Sequence, residues 1–283
     1  MAVSLKWAIG FLPHSWHKGD MAGSLRVILE LAAAGGEVSG AAARILWDTL
    51  SRQGRLNRAL LRLEASGKVA LRGEGPLDQR ILRLTDAGQR FACGGIDPPS
   101  LWARSWDGLW RIVAFDIPES STALRTRLRR RLHEYRFGWL QNSVWISPDS
   151  IDDFRARLDE QPSVPDSLTF LEATTIGGES HSAIVKSAWD FDALAKEYES
   201  YFAILRLRPG AARGLESWRD WIEAEHRAWA QLVRRDPFLP EQLLPNNYQG
   251  REAWAARQEA FADCSAALVK RIGPSAATIG SPI

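Results

Sequence analysis

The sequence predicts an α+β protein in three successive parts, and three observations carry that prediction. Residues 24–90 read as short amphipathic helices followed by two strand-like apolar runs. Residues 110–174 read as a strand, a helix, two strands, a helix and a strand, the order βαββαβ. From Trp189 to Arg271 the periodicity is helical, broken by one proline-rich connector.

The first part opens with SLRVILELAAAGG (24–36), a helix that Ser24 is placed to cap, with Val27, Ile28 and Leu31 as its stripe and Gly35-Gly36 as its stop. SGAAARILWDTL (39–50) is a second helix, opened by Ser39. QGRLNRALLRLEASG (53–67) is a third, with Leu56, Leu60 and Leu63 on one face and Gly67 as its stop. KVALRGEG and PLDQRILRLTDAGQRF then read as two strands around a turn rich in Gly and Pro. Helices followed by a two-stranded ribbon form the element order of a winged helix-turn-helix.

Charge supports that order. Between Ser51 and Arg90 nine basic residues stand against four acidic ones, a local excess of five, although the whole chain carries only +2. Arg55, Arg58 and Arg62 recur at spacings of three and four, a stripe beside the leucines. Such a face suits a phosphate backbone and guanine edges, and Asn57 suits an adenine edge. The expected DNA contacts are therefore Arg55, Asn57, Arg58 and Arg62, with Arg52, Arg72 and Arg80 on phosphates.

GGIDPPSLWARSWDG (94–108) has the composition of a boundary. WRIVAF (110–115) follows as a buried strand, and Ser120 or Ser121 is placed to cap the helix ALRTRLRRRLHEY, whose inner face is Leu124, Leu128, Leu132 and Tyr135. GWLQNS and VWISP are two strands around Asn142-Ser143. IDDFRARL (151–158) is a helix, with Ile151, Phe154 and Leu158 inward, and SLTFLEAT (167–174) a strand. This is a ferredoxin-like split unit.

In the helical part, DFDALAKEYESYFAIL and LESWRDWIEAEHRAWAQLVRR each hold an apolar stripe at spacings of three and four. Glu225 falls within the second stripe, where a carboxylate requires a partner or a ligand. DPFLPEQLLPNNYQG holds three prolines and cannot be helical throughout. REAWAARQEAFADCSAALVKRI is the last helix, and the tail GPSAATIGSPI reads as disordered. The expected parts are an N-terminal arm (1–22), a DNA-binding domain (23–95), a ferredoxin-like domain (96–180), a helical domain (181–272) and the tail (273–283).

Composition excludes several classes. The hydrophobic fraction of 45% and charged fraction of 25% are those of a soluble globular protein. Cys93 and Cys264 are far apart and lack CxxC spacing, which argues against a disulfide framework or zinc finger and fits a reducing cytoplasm. MAVSLKWAIGFLP is too short an apolar run for a membrane span and lacks a cleavage site. The five histidines form no HExxH or HxH, and no GxSxG, Walker loop or GxGxxG occurs. Neither a catalytic residue nor a cofactor is expected.

Three segments give the chain a family resemblance: GRLNRALLRLEASGKV with the closing LTDAG; WRIVAFDIPE through LRRRLHEYRFGWLQNSVWISP; and DPFLPEQLLPNNYQG with its alanine-rich helix. In this order they resemble the PaaX family, bacterial repressors of phenylacetate-degradation operons. The resemblance implies a winged helix, a central domain similar to the Cas2 fold and a C-terminal helical part. It also implies a homodimer that binds operator DNA and releases it on binding an aryl-CoA thioester such as phenylacetyl-CoA. Trp218, Glu225 and Trp229 are the candidates for that effector.

The competing reading starts from Asp116, which ends the strand WRIVAF ahead of an arginine-rich helix. In Cas2-type nucleases an aspartate here is associated with metal, and a dimer would supply two copies. Metal-assisted cleavage needs converging acidic ligands. Asp116 suits equally the turn into the following helix, accepting from backbone N–H groups. A constitutive DNA-binding protein without effector is the third reading.

Overall fold

The computed structural model describes residues 28, 37–39, 43, 56–76, 79–92, 96–159, 168–210 and 213–272. They fall in two compact units, one holding residues 98–197 with 232–249, the other residues up to 97 with 198–231 and 250 onward. The N-terminal arm, the tail and most of the first two expected helices lie outside the described residues. Ile28 and Ala43, one from each of those helices, are helical and fully buried.

The N-terminal elements are β1 (Glu37–Ser39), α1 (Leu56–Ala65), β2 (Val69–Arg72), β3 (Ile81–Leu84) and α2 (Asp86–Ala92). They build an antiparallel sheet in the order β1-β3-β2, with Val69 opposite Leu84 and Glu37 opposite Arg83. Glu37–Ser39, between the first two expected helices, is a strand too short to show alternation. One expectation needs correction. The run after Leu84 is a helix, because Thr85 Oγ1 accepts from the Gly88 N–H at 3.0 Å and caps it.

In the other unit, the segment read as a boundary holds a helix, α3 (Pro98–Ala103). Next come β4 (Trp110–Phe115), α4 (Thr122–Glu134), β5 (Gly138–Gln141), β6 (Val144–Ser147), α5 (Asp152–Asp159) and β7 (Leu168–Ala173). The sheet is antiparallel in the order β5-β6-β4-β7, the arrangement of the split unit. Asn142 takes a left-handed φ of 43° at the β5–β6 turn. Alternation sorts the two faces. Val113, Phe115 and Trp145 meet Leu128 and Leu132 of α4 and Phe154 of α5. Trp110 and Ile146 face the other way, onto Ile184 and Val185 of α6 (His181–Ala188) and onto Leu239 and Leu243. This α6 escapes the sequence reading, although Ser180 caps it by accepting from the Ala183 N–H. Ser121 stands at the cap position of α4, but its side chain makes no capping bond.

The proline-rich connector is a buckle rather than a loose loop. Arg104 forms a bidentate pair with Asp149 (2.7 and 2.8 Å) and also donates to the Phe238 carbonyl. Arg136, at a left-handed φ of 62°, donates to the carbonyls of Val233 and Asp236 and lies 4.8 Å from the Phe238 ring. Asp236 accepts from the Phe238 N–H (2.6 Å) and the Tyr248 hydroxyl (2.5 Å), whose oxygen takes a bond from Trp102 Nε1. Burial pulls the Arg136 guanidinium below its usual proton affinity and Asp236 opposes that. An arginine so placed stays charged.

The helical elements are α7 (Phe191–Arg206), α8 (Leu215–Arg235) and α9 (Gly250–Ile272), with a 3₁₀ turn at Glu241–Leu243 before the last. Among the described residues no helix is long and apolar enough to cross a membrane.

Candidate functional site

The α1 helix is fixed from below and open above. Leu56, Leu60 and Leu63 are all buried. Burying three leucines contributes about 1.5–3 kcal/mol each, enough to seat a ten-residue helix that would not hold alone. Its end is a Schellman motif: Gly67, at a φ of 68°, donates to the Glu64 carbonyl at 2.9 Å, and Lys68 donates to Leu63 at 2.9 Å. Lys68 leads directly into β2, and the Glu64 carboxylate accepts from the Leu71 N–H at 3.4 Å. The helix is therefore held at a set angle to the β2–β3 hairpin.

The LTDAG motif closes the same joint. Thr85 Oγ1 donates to the Gly67 carbonyl at 2.6 Å, and the Thr85 N–H donates to Lys68. A Cβ on Gly88 would stand 1.8 Å from the Lys68 carbonyl oxygen, so only glycine lets α2 approach.

The outer face of α1 presents Asn57, Arg58, Leu61 and Arg62, all exposed. Neither arginine pairs with an acidic side chain among the described residues. Arg72, at the end of β2, is exposed, and Arg83 on β3 is exposed as well. Arg80 is partly engaged, its Nε donating to the Gly75 carbonyl at 2.9 Å across the hairpin turn. Of the seven expected DNA contacts, Asn57, Arg58, Arg62, Arg72 and Arg80 thus lie on α1 and the adjoining hairpin. Arg52 and Arg55 lie outside the described residues. Arg83 and Leu61, which are not among those seven, are exposed on the same elements.

The effector candidates sit in the core of the helical elements. Glu225 and Arg257 are fully enclosed, at 0% and 1% exposure, and pair at 2.8 Å. The Tyr201 hydroxyl donates to the same carboxylate at 2.6 Å. Trp229 stacks against Tyr201 and Trp254, and the Arg257 guanidinium lies 4.6 Å from the Phe261 ring. The partner that the apolar seam required for Glu225 is thus an arginine from α9. Trp218 is buried against Trp221, and its indole N–H has no hydrogen-bond partner among the described residues.

Asp116 is exposed, and the bonds expected from the turn's N–H groups are not formed; the Ser121 N–H donates to the Pro118 carbonyl instead. Arg129 and Arg130 are exposed and turned away from the leucine face of α4, and Arg130 and Arg131 approach Glu134. Among the described residues no group of three or more His, Cys, Asp or Glu side chains gathers.

Residues 103–185 match the family described as the PaaX protein central Cas2-like domain, and residues 189–271 match the PaaX-like protein C-terminal domain. Chains of this kind join a Cas2-like sheet to a helical region, and the two matches take in more than half of this one. It belongs to the PaaX family. It is also similar to a solved structure, the uncharacterized protein Rv0674 from Mycobacterium tuberculosis, at 25% identity over 77% of this chain and 83% of that one, with a TM-score of 0.46. No curated protein matches the chain.

Proposed function

We propose that the chain is a DNA-binding transcriptional regulator of the repressor type, a winged helix-turn-helix protein and not an enzyme. The observation that carries this reading is the basic outer face of α1, locked through Gly67, Thr85 and Gly88 to a hairpin that bears Arg72 and Arg80. Phosphates along a groove attract such a face whatever the sequence, and side chains that reach base edges add selectivity. A homodimer would set two copies of α1 in major grooves about one helical turn, or a multiple, apart on a pseudo-palindromic operator.

Family membership supports an acyl-CoA thioester as the releasing ligand, phenylacetyl-CoA first among them; of the candidates Trp218, Glu225 and Trp229, Trp218 keeps an indole N–H with no hydrogen-bond partner among the described residues, whereas Glu225 already holds Arg257. The control of an aromatic-acid operon in the cytoplasm belongs to the same reading. The test is binding to the DNA upstream of the gene and its neighbours, at fixed salt, with and without a panel of acyl-CoA esters. Specific binding released by one ester supports a repressor of that ester's pathway. Binding that no ester alters leaves a constitutive DNA-binding protein. Absence of specific binding, with metal-dependent degradation of nucleic acid lost in Asp116→Asn, would replace the reading by a nuclease.

A further inference from the structure

Leu61 is the large apolar residue of the outer α1 face, which charge and hydrogen bonding leave unaccounted for. Its side chain is 55% exposed, although the same helix buries Leu56, Leu60 and Leu63 on the opposite side. A solitary exposed leucine is ordinary on a protein surface. This one is not solitary in its setting: Asn57 and Arg58 stand one turn before it and Arg62 directly after it, all exposed. A partner that engages those three polar side chains must also cover the leucine between them. The arginines fix that partner as an anion, since neither has a carboxylate of its own among the described residues.

We infer that Leu61 is a specificity residue that packs on the C5-methyl group of a thymine in the major groove. This rests on the DNA-binding reading given above and makes it more specific. Among the base edges of the major groove, thymine alone offers an apolar group, the others presenting donors and acceptors that a leucine would strip of water without replacing. Asn57 and Arg58 hold the polar edges, so the leucine between them falls on a base step rather than on the sugar–phosphate rim. The recognised sequence should then hold a thymine at one fixed place in each half-site, next to the pairs read by Arg58 and Asn57.

The test uses the full chain and duplexes selected by it from a random pool. Each thymine of the selected sequence is replaced singly by deoxyuridine, which keeps pairing and removes only the methyl group. Binding is read by fluorescence anisotropy at fixed salt. The wild-type chain should lose about fourfold in affinity at one thymine per half-site, the worth of one methyl-sized apolar contact. Leu61→Ala should bind the thymine and deoxyuridine duplexes equally, with an unchanged melting temperature because the side chain supports no core.

Tolerance of deoxyuridine at every position, or an equal penalty in wild type and L61A, overturns the inference while leaving DNA recognition intact. A change of oligomeric state in L61A overturns it by making the leucine a subunit contact. Failure of any duplex to be enriched overturns both this inference and the reading on which it rests.

Discussion

Glu225 shows how one residue's meaning depends on what surrounds it. The carboxylate stands on an apolar stripe, and Arg257 meets it with the hydroxyl of Tyr201 in an aromatic surround. Removing one member leaves a buried charge, so Glu225→Gln or Arg257→Leu should destabilise by about 3–5 kcal/mol in urea unfolding. The joint replacement Glu225→Leu with Arg257→Met should be far milder than either cost doubled, which a double-mutant cycle measures. Gly88 and Gly67 separate two uses of glycine. Gly88→Ala drives a Cβ into the Lys68 carbonyl and should cost more than about 2 kcal/mol, whereas Gly67→Ala meets open space and suffers only its left-handed φ, about 1–2 kcal/mol. Thermal melts of the two variants rank them. The sequence displayed Gly67 as a helix stop but not Gly88, since the carbonyl that excludes a methyl group lies twenty residues earlier in the chain.

At the scale of elements, α1 and its hairpin act together. If Arg72 contacts a phosphate, its replacement by Gln should weaken binding of all duplexes and lower the slope of log K against log salt by about one. Arg80→Ala should act less directly, because its guanidinium also ties the hairpin turn through Gly75. On α4, His133 lies edge-on to Trp145 of β6 at 4.8 Å, and partial burial holds its pKa below the usual histidine value. A lowered histidine pKa means that the unfolded chain binds the proton more readily. Stability from this site is therefore full above the unfolded value, near 6.5, and is lost as the pH falls through the folded one. His133→Gln should flatten that part of the stability–pH curve followed by Trp fluorescence. The strands β4 to β7 were legible because β-branched and aromatic runs lie between clear turns. The helix α6 was not, because HSAIVKSA is only eight residues long and its apolar face answers residues of the distant 239–243 segment.

For the molecule as a whole, the proposed regulation is a statement about linkage. If an acyl-CoA releases the operator, operator DNA must weaken acyl-CoA binding by the same factor. Calorimetric titration of the ester into the free chain and into the DNA complex should give that equality. An ester that binds both forms alike removes the regulatory reading without touching DNA recognition. A homodimer predicts a sedimenting mass twice that of the 31.6 kDa chain.

The sequence alone determined the order of the βαββαβ unit, the helical C-terminal region, the leucine stripe of α1 and the basic stripe beside it. Each is written in neighbouring residues, because periodicities of two and 3.6 record which side of an element meets the core. The tertiary structure decided what lies between residues distant along the chain. It made the proline-rich connector a buckle around Phe238, gave Glu225 its arginine and brought the Lys68 carbonyl against Gly88. It also left Leu61 on the surface while the other three leucines of α1 are buried. Partnership and exposure depend on which surfaces folding brings together, and a local pattern carries no record of a partner far away in sequence.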